Sequence, residues 1–150
     1  MTANRNWKHF GGPRSSGAPV VTRMVAALLL AVGGGVHLDL WRDGYRGIRY
    51  IGPLFLANAI VSGIVAARLV LGGGRPTALA GAAIAAGSLA GLALSRTVGL
   101  FGFVESGWTP AAARAVAAEI GAVVTLGLVL ALSARSGRMA RLTPAVVPAT

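Results

Sequence analysis

Hydrophobic positions along the chain gather into four long blocks, at about 24–41, 52–71, 76–95 and 111–134, separated by short breaks that carry the polar residues. A bilayer core about 30 Å thick is crossed by about 20 helical residues at a rise of about 1.5 Å each, so each block is long enough to span. The breaks carry helix punctuation. Gly52-Pro53 opens the second block, Gly72-Gly73-Gly74-Arg75-Pro76 divides the second from the third, and Thr109-Pro110 opens the fourth. Proline in a first turn gives up no helical hydrogen bond. With connections this short, consecutive spans run antiparallel. The pattern predicts an all-α polytopic membrane protein, four transmembrane helices in one antiparallel bundle over residues 24–134, between basic, flexible tails at 1–23 and 135–150.

Composition supports the membrane reading and narrows the partners. Hydrophobic residues make up 55% of the chain and charged ones 12%, with a mean hydropathy of +0.70, whereas roughly a quarter of a soluble domain is charged. The net charge of +10 does not argue for nucleic acid, because the basic residues lie between and beside apolar blocks and not on one amphipathic face. Anionic lipid headgroups are the expected partners of these cations. The chain has no cysteine, which excludes disulfides, thiolate metal sites and cysteine nucleophiles.

Charge also sets an expected orientation. Under hairpin topology, nine basic residues (Arg5, Lys8, Arg14, Arg23, Arg68, Arg75, Arg135, Arg138 and Arg141) share the side of the termini. Five (Arg42, Arg46, Arg49, Arg96 and Arg114) lie opposite. The excess predicts a multi-pass protein of the bacterial plasma membrane with both termini cytoplasmic. All four acids, Asp39, Asp43, Glu105 and Glu119, fall toward the opposite, outer end. That clustering depends only on the hairpins.

Small residues mark the faces along which membrane helices meet. The third block has Ala83, Gly87, Gly91 and Ser95 at spacing four, with Ala80 and Ser88 beside that ridge; the fourth has Ala112, Ala115, Glu119 and Ala122. Glu119 is therefore expected to point inward, while Ile120, Val124 and Leu128 lie well around the helix from it. His37 follows Gly33 and Gly34 by one turn, and Asn58 precedes Ser62 by one turn. Taking Trp41 and Arg114 as interfacial anchors, His37 lies about 6 Å below the interface, Glu119 about 7 to 8 Å, and Asn58 about 9 Å below Gly52. The expected cluster draws one polar residue from each helix: His37, Asn58, Ser95 or Arg96, and Glu119. Asp39, Asp43, Tyr45, Glu105 and Trp108 are expected at its rim.

An unpaired ionisable group near the centre of a membrane helix costs roughly 2.5 to 3.5 kcal/mol, so these residues need partners. One reading is helix-to-helix glue, in which Glu119 pairs with Arg96 or His37. The other is a small polar site for a proton, a cation or a lipid headgroup. Asp39 lies about 160° around the first helix from His37 and is expected to meet Arg42 or Arg46 instead. The histidine and carboxylates lack a diagnostic metal spacing. Residues 72–74 lack the Lys and Ser/Thr of a phosphate loop, and no nucleophile motif is present. No cofactor, metal or catalytic residue is expected. The aromatics Trp41, Tyr45, Tyr50, Phe101, Phe103 and Trp108 suit an interfacial belt. Residues 99–108 suit either a cap over the cluster or a continuation of the third helix to about Val104.

His37, Trp41 and Tyr45 with IGPLFLANAI (51–60), and SRTVGLFGFVESGW (95–108) followed by Glu119, resemble small four-span membrane proteins of actinobacteria. The resemblance implies the four-span architecture and brings no biochemical activity with it. Likeness to DoxX-like proteins is architectural only. Small multidrug-resistance exporters keep their carboxylate in the first span, whereas here it is in the fourth. The expected function is a non-enzymatic membrane protein, an assembly or accessory subunit meeting a second copy or a membrane partner protein. A proton- or cation-coupled transport component using Glu119 and His37 is the alternative, and a redox or quinone-binding subunit the third reading.

Overall fold

A computed structural model describes residues 18–142. Four α-helices run in chain order, α1 (Val20–Arg42), α2 (Ile51–Val70), α3 (Arg75–Thr97) and α4 (Pro110–Leu142), with one 3-10 turn at Tyr45–Gly47 between α1 and α2. All four are long and apolar enough to cross a membrane. The protein is an all-α, four-helix polytopic bundle. Its largest contacts join α1 to α2, α1 to α4 and α3 to α4, while α2 and α3 meet along a thinner line.

Helix ends follow local chemistry. Thr109 Oγ1 accepts the Ala112 amide at 3.1 Å and Pro110 takes the first helical position of α4, so the cap fills a donor that the first turn leaves open. The Gly73 amide donates to the Arg68 carbonyl at 2.7 Å and closes the end of α2, with Pro76 in the first turn of α3. Two ends extend past the apolar blocks. α1 begins at Val20, before Met24, and α4 continues through Arg135 and Arg138 to Leu142. Arginine is a good helix former, and the next proline, Pro144, comes only after that end. The expectations for residues 1–17 and 143–150 lie outside the described residues.

Two glycines allow the approaches that set the geometry. A Cβ on Gly34 would stand 2.9 Å from the Ser62 Cβ, so α1 and α2 cross there in backbone contact. A Cβ on Gly52 would stand 2.7 and 2.8 Å from the carbonyls of Arg46 and Tyr45. The turn after α1 is thereby laid directly on the start of α2. The apolar core, including Ala26, Leu30, Leu69, Ala78, Ala122 and Leu126, fills the half of the bundle nearer the described ends. The other half holds the buried His37, Ser95 and Glu119.

Candidate functional site

His37 is buried on α1 and its Nδ1 donates to the Gly33 carbonyl at 2.9 Å. A carbonyl only accepts, so that nitrogen carries a hydrogen and Nε2 is left to face the bundle. Nε2 lies 3.0 Å from Ser88 Oγ on α3 and 3.7 Å from Glu119 Oε1 on α4. Three helices thus meet through one short polar chain. When the imidazole is neutral, the Ser88 hydroxyl donates to Nε2. When it is protonated, Nε2 donates to Ser88 and the carboxylate beside it is its counterion. Both arrangements use the same heavy-atom positions.

Asn58 on α2 stands one turn from Ser62, whose hydroxyl donates to Asn58 Oδ1 at 3.1 Å. On the loop side, the Tyr45 hydroxyl donates to Glu105 Oε2 at 2.6 Å, and the Gly107 amide donates to Oε1 at 3.3 Å. Burial, followed by the hydrogen bond to Glu105 and that carboxylate's charge, pushes the Tyr45 phenol up to about 12. The Tyr45 ring stacks on Phe55 at 4.8 Å, Phe55 lies 5.0 Å from the His37 imidazole, and Phe103 meets Tyr45 edge-on at 5.8 Å. An aromatic wall therefore runs from His37 to the loop.

Residues 98–109 close this end without forming a helix. Leu100 and Phe103 exchange two backbone hydrogen bonds around Phe101 (φ 51°) and Gly102 (φ 82°). Two positive φ values in succession make this the primed turn that suits a tight hairpin. The Glu105 amide donates to the Ser95 carbonyl at 3.0 Å and ties the segment back to the last turn of α3. Of the two courses open to residues 99–108, the chain takes the cap.

Below the cap lies a cavity of about 540 Å³ lined by His37, Asn58, Ser88 and Glu119, by Tyr45, Phe55, Phe103 and Glu105, and otherwise almost wholly by apolar side chains. Small-molecule sites occupy about 300 to 1,000 Å³. Leu54, Ala57 and Val61 of α2 and Ala83, Gly87, Ala90 and Leu94 of α3 line it and are also exposed. The cavity therefore opens sideways between α2 and α3, on a surface that the membrane's acyl chains would cover. A Cβ on Gly87 would meet nothing within 4 Å. The small ridge of α3, expected to be a helix contact, forms the cavity wall over Ala83, Gly87 and Gly91.

Six of the ten residues singled out in the sequence line this one cavity: His37, Asn58, Ser95, Glu119, Tyr45 and Glu105. Four do not. Arg96 is turned off the cavity face by the one-residue step from Ser95; its Nη1 donates to the Gly107 carbonyl at 2.7 Å and its guanidinium lies 5.0 Å from the centre of the Trp108 ring. Arg96 therefore anchors the cap and does not pair with Glu119. Trp108 is exposed, as is Asp43. Asp39 is exposed beside Arg42, 4.0 Å away, a surface pair of small energetic weight.

Ser88 and Phe55 complete the site without having been singled out. Ser88 lies seven residues before Ser95, two turns along the same helix face, and that heptad spacing was its available signal. Phe55 carried none, being one apolar residue among many. His37 and Glu119 offer two ligand groups side by side, but among the described residues no group of three His, Asp or Glu is placed to hold a metal ion. Comparison with protein-family models, with curated proteins and with solved structures returns no match.

Proposed function

We propose that this chain is a non-enzymatic membrane protein that takes a small amphiphile from the bilayer into the cavity between α2 and α3, acting as a binding or accessory subunit. The observation that carries this reading is the cavity's polarity. An apolar slot open to the acyl-chain region ends against His37, Ser88, Glu119, Tyr45 and Glu105. A molecule with a polar head and an apolar body is the ligand that satisfies both parts. Plasma-membrane placement with both termini cytoplasmic, supported by the distribution of basic residues, puts the cavity in the outer leaflet.

Native mass spectrometry of protein extracted in mild detergent tests this. The wild type is expected to retain a bound amphiphile at close to one per chain, and Gly87→Leu, which projects a side chain into open cavity space, is expected to lose it. A wild type carrying no more lipid than this variant would reject the reading.

A second reading is favoured by the Gly33–His37–Ser88–Glu119 chain, which accommodates two proton arrangements without moving heavy atoms. On this reading the cavity passes protons or cations, with Glu119 as the carrier. Proteoliposomes would then show a proton flux that Glu119→Gln abolishes while the protein stays folded. Loss of assembly with no flux in either protein would assign the chain to helix packing instead.

A further inference from the structure

The chain contains 14 Arg and Lys residues against four acids, and among the described residues five basic ones, Arg42, Arg46, Arg49, Arg96 and Arg114, stand at the cavity end. None of them lines the cavity. The ionisable groups that do are His37, Tyr45, Glu105 and Glu119. Arg96 is turned out onto Trp108, and Arg42 and Arg49 lie beside Asp39 and Tyr50. In a strongly basic protein, the wall facing the ligand thus carries, among the described residues, two carboxylates, one histidine and no fixed positive charge.

The aromatic rings at the same end point the same way. Tyr45, Phe55 and Phe103 form a connected group, each lining the cavity, and Glu105 is held beside them by the Tyr45 hydroxyl and the Gly107 amide. A positive head drawn out of water is costly unless charge or ring faces replace its hydration. Carboxylates and aromatic faces are the groups that do so for ammonium ions. An anionic head would meet Glu105 with no cation to offset it.

Resting on the reading of this cavity as an amphiphile site, we infer that its ligand is a lipophilic organic ammonium, with the cationic head against Glu105 and the Tyr45–Phe55–Phe103 rings. The apolar body lies along Leu54, Val61 and Ile84 toward the opening between α2 and α3. His37, Ser88 and Glu119 form the floor, where one more hydrogen-bonding group on the ligand is accepted or donated to.

The test uses the full chain in digalactosyldiacylglycerol nanodiscs, whose uncharged headgroup carries no ammonium, and three probes of equal chain length: dodecyltrimethylammonium, dodecanol and dodecanoate, each measured against protein-free nanodiscs. The ammonium is expected to saturate one site per chain and to bind at least about tenfold more tightly than the other two. Glu105→Gln and Phe55→Leu are each expected to weaken ammonium binding by roughly tenfold and to leave dodecanol unchanged. Thermal melting identifies any variant that fails to fold, and the other then carries the comparison. Dodecanol or dodecanoate binding as tightly as the ammonium, with Gly87→Leu still blocking it, overturns the cation preference and leaves the amphiphile cavity standing. Ammonium binding indifferent to both Glu105→Gln and Phe55→Leu does the same. If none of the three probes saturates on folded protein, the inference and the cavity reading fall together.

Discussion

Tyr45 shows how a single side chain ties the loop to the bundle. Its ring is held by Phe55, its hydroxyl by Glu105, and its proton is retained to about pH 12 because the ionised form would be desolvated next to a carboxylate. The sign of the consequence follows from linkage. The unfolded chain releases this proton at its ordinary value near 10, so stability present below pH 10 is lost as pH rises through about 12. The chain has two tyrosines. Ultraviolet titration should therefore show one phenol ionising near pH 12 that Tyr45→Phe removes and Glu105→Gln moves down. The absence of any phenol ionising near pH 12 would contradict the Tyr45–Glu105 contact. At this scale His37, Asn58 and Glu119 were legible because an isolated polar residue in an apolar helix stands out. Ser88 was less so, since serine is common among the small residues of membrane helices. Arg96 misled because helix position alone does not fix where a long guanidinium ends.

Among the elements, the turn over residues 44–50 depends on the start of α2. Gly52→Ala places a methyl within 3 Å of two backbone carbonyls, which cannot swing away as a side chain can. The turn has to move, and Tyr45 with it. Overpacking of this kind costs about 1 to 3 kcal/mol. Gly52→Ala is accordingly expected to lower the melting temperature in detergent, whereas Gly87→Ala, facing open space, leaves it near wild type. Equal effects from the two would show that the turn does not rest on α2. The helices themselves could be read in advance because each block must match the bilayer and each break carries Gly or Pro. The outer bounds of α1 and α4 could not, since hydropathy marks where the membrane ends and not where helical hydrogen bonding does. The course of residues 98–109 was also hidden, because it rests on two positive φ values and on the Glu105 to Ser95 backbone bond, which link residues ten apart.

Across the whole molecule, the two halves of the bundle do different things. One is closed by alanine and leucine packing, and the other is held apart between α2 and α3 by a polar floor and a looped cap. The contact faces of α4 were visible as a stripe of small residues around Glu119, and Ala115, Ala118, Glu119 and Ala122 are buried. The cavity was not visible, because a small-residue ridge looks the same whether a neighbouring helix or an open space lies against it. Only the separation of α2 and α3 decides between them. The direct test is photocrosslinking in native membranes from a photoreactive residue at Val61, inside the opening, and at Val124, on the exposed face of α4. An occupied amphiphile cavity predicts one adduct species strongly enriched at Val61, and adducts in bulk-lipid proportions at Val124. The same bulk-lipid composition at both positions would contradict it.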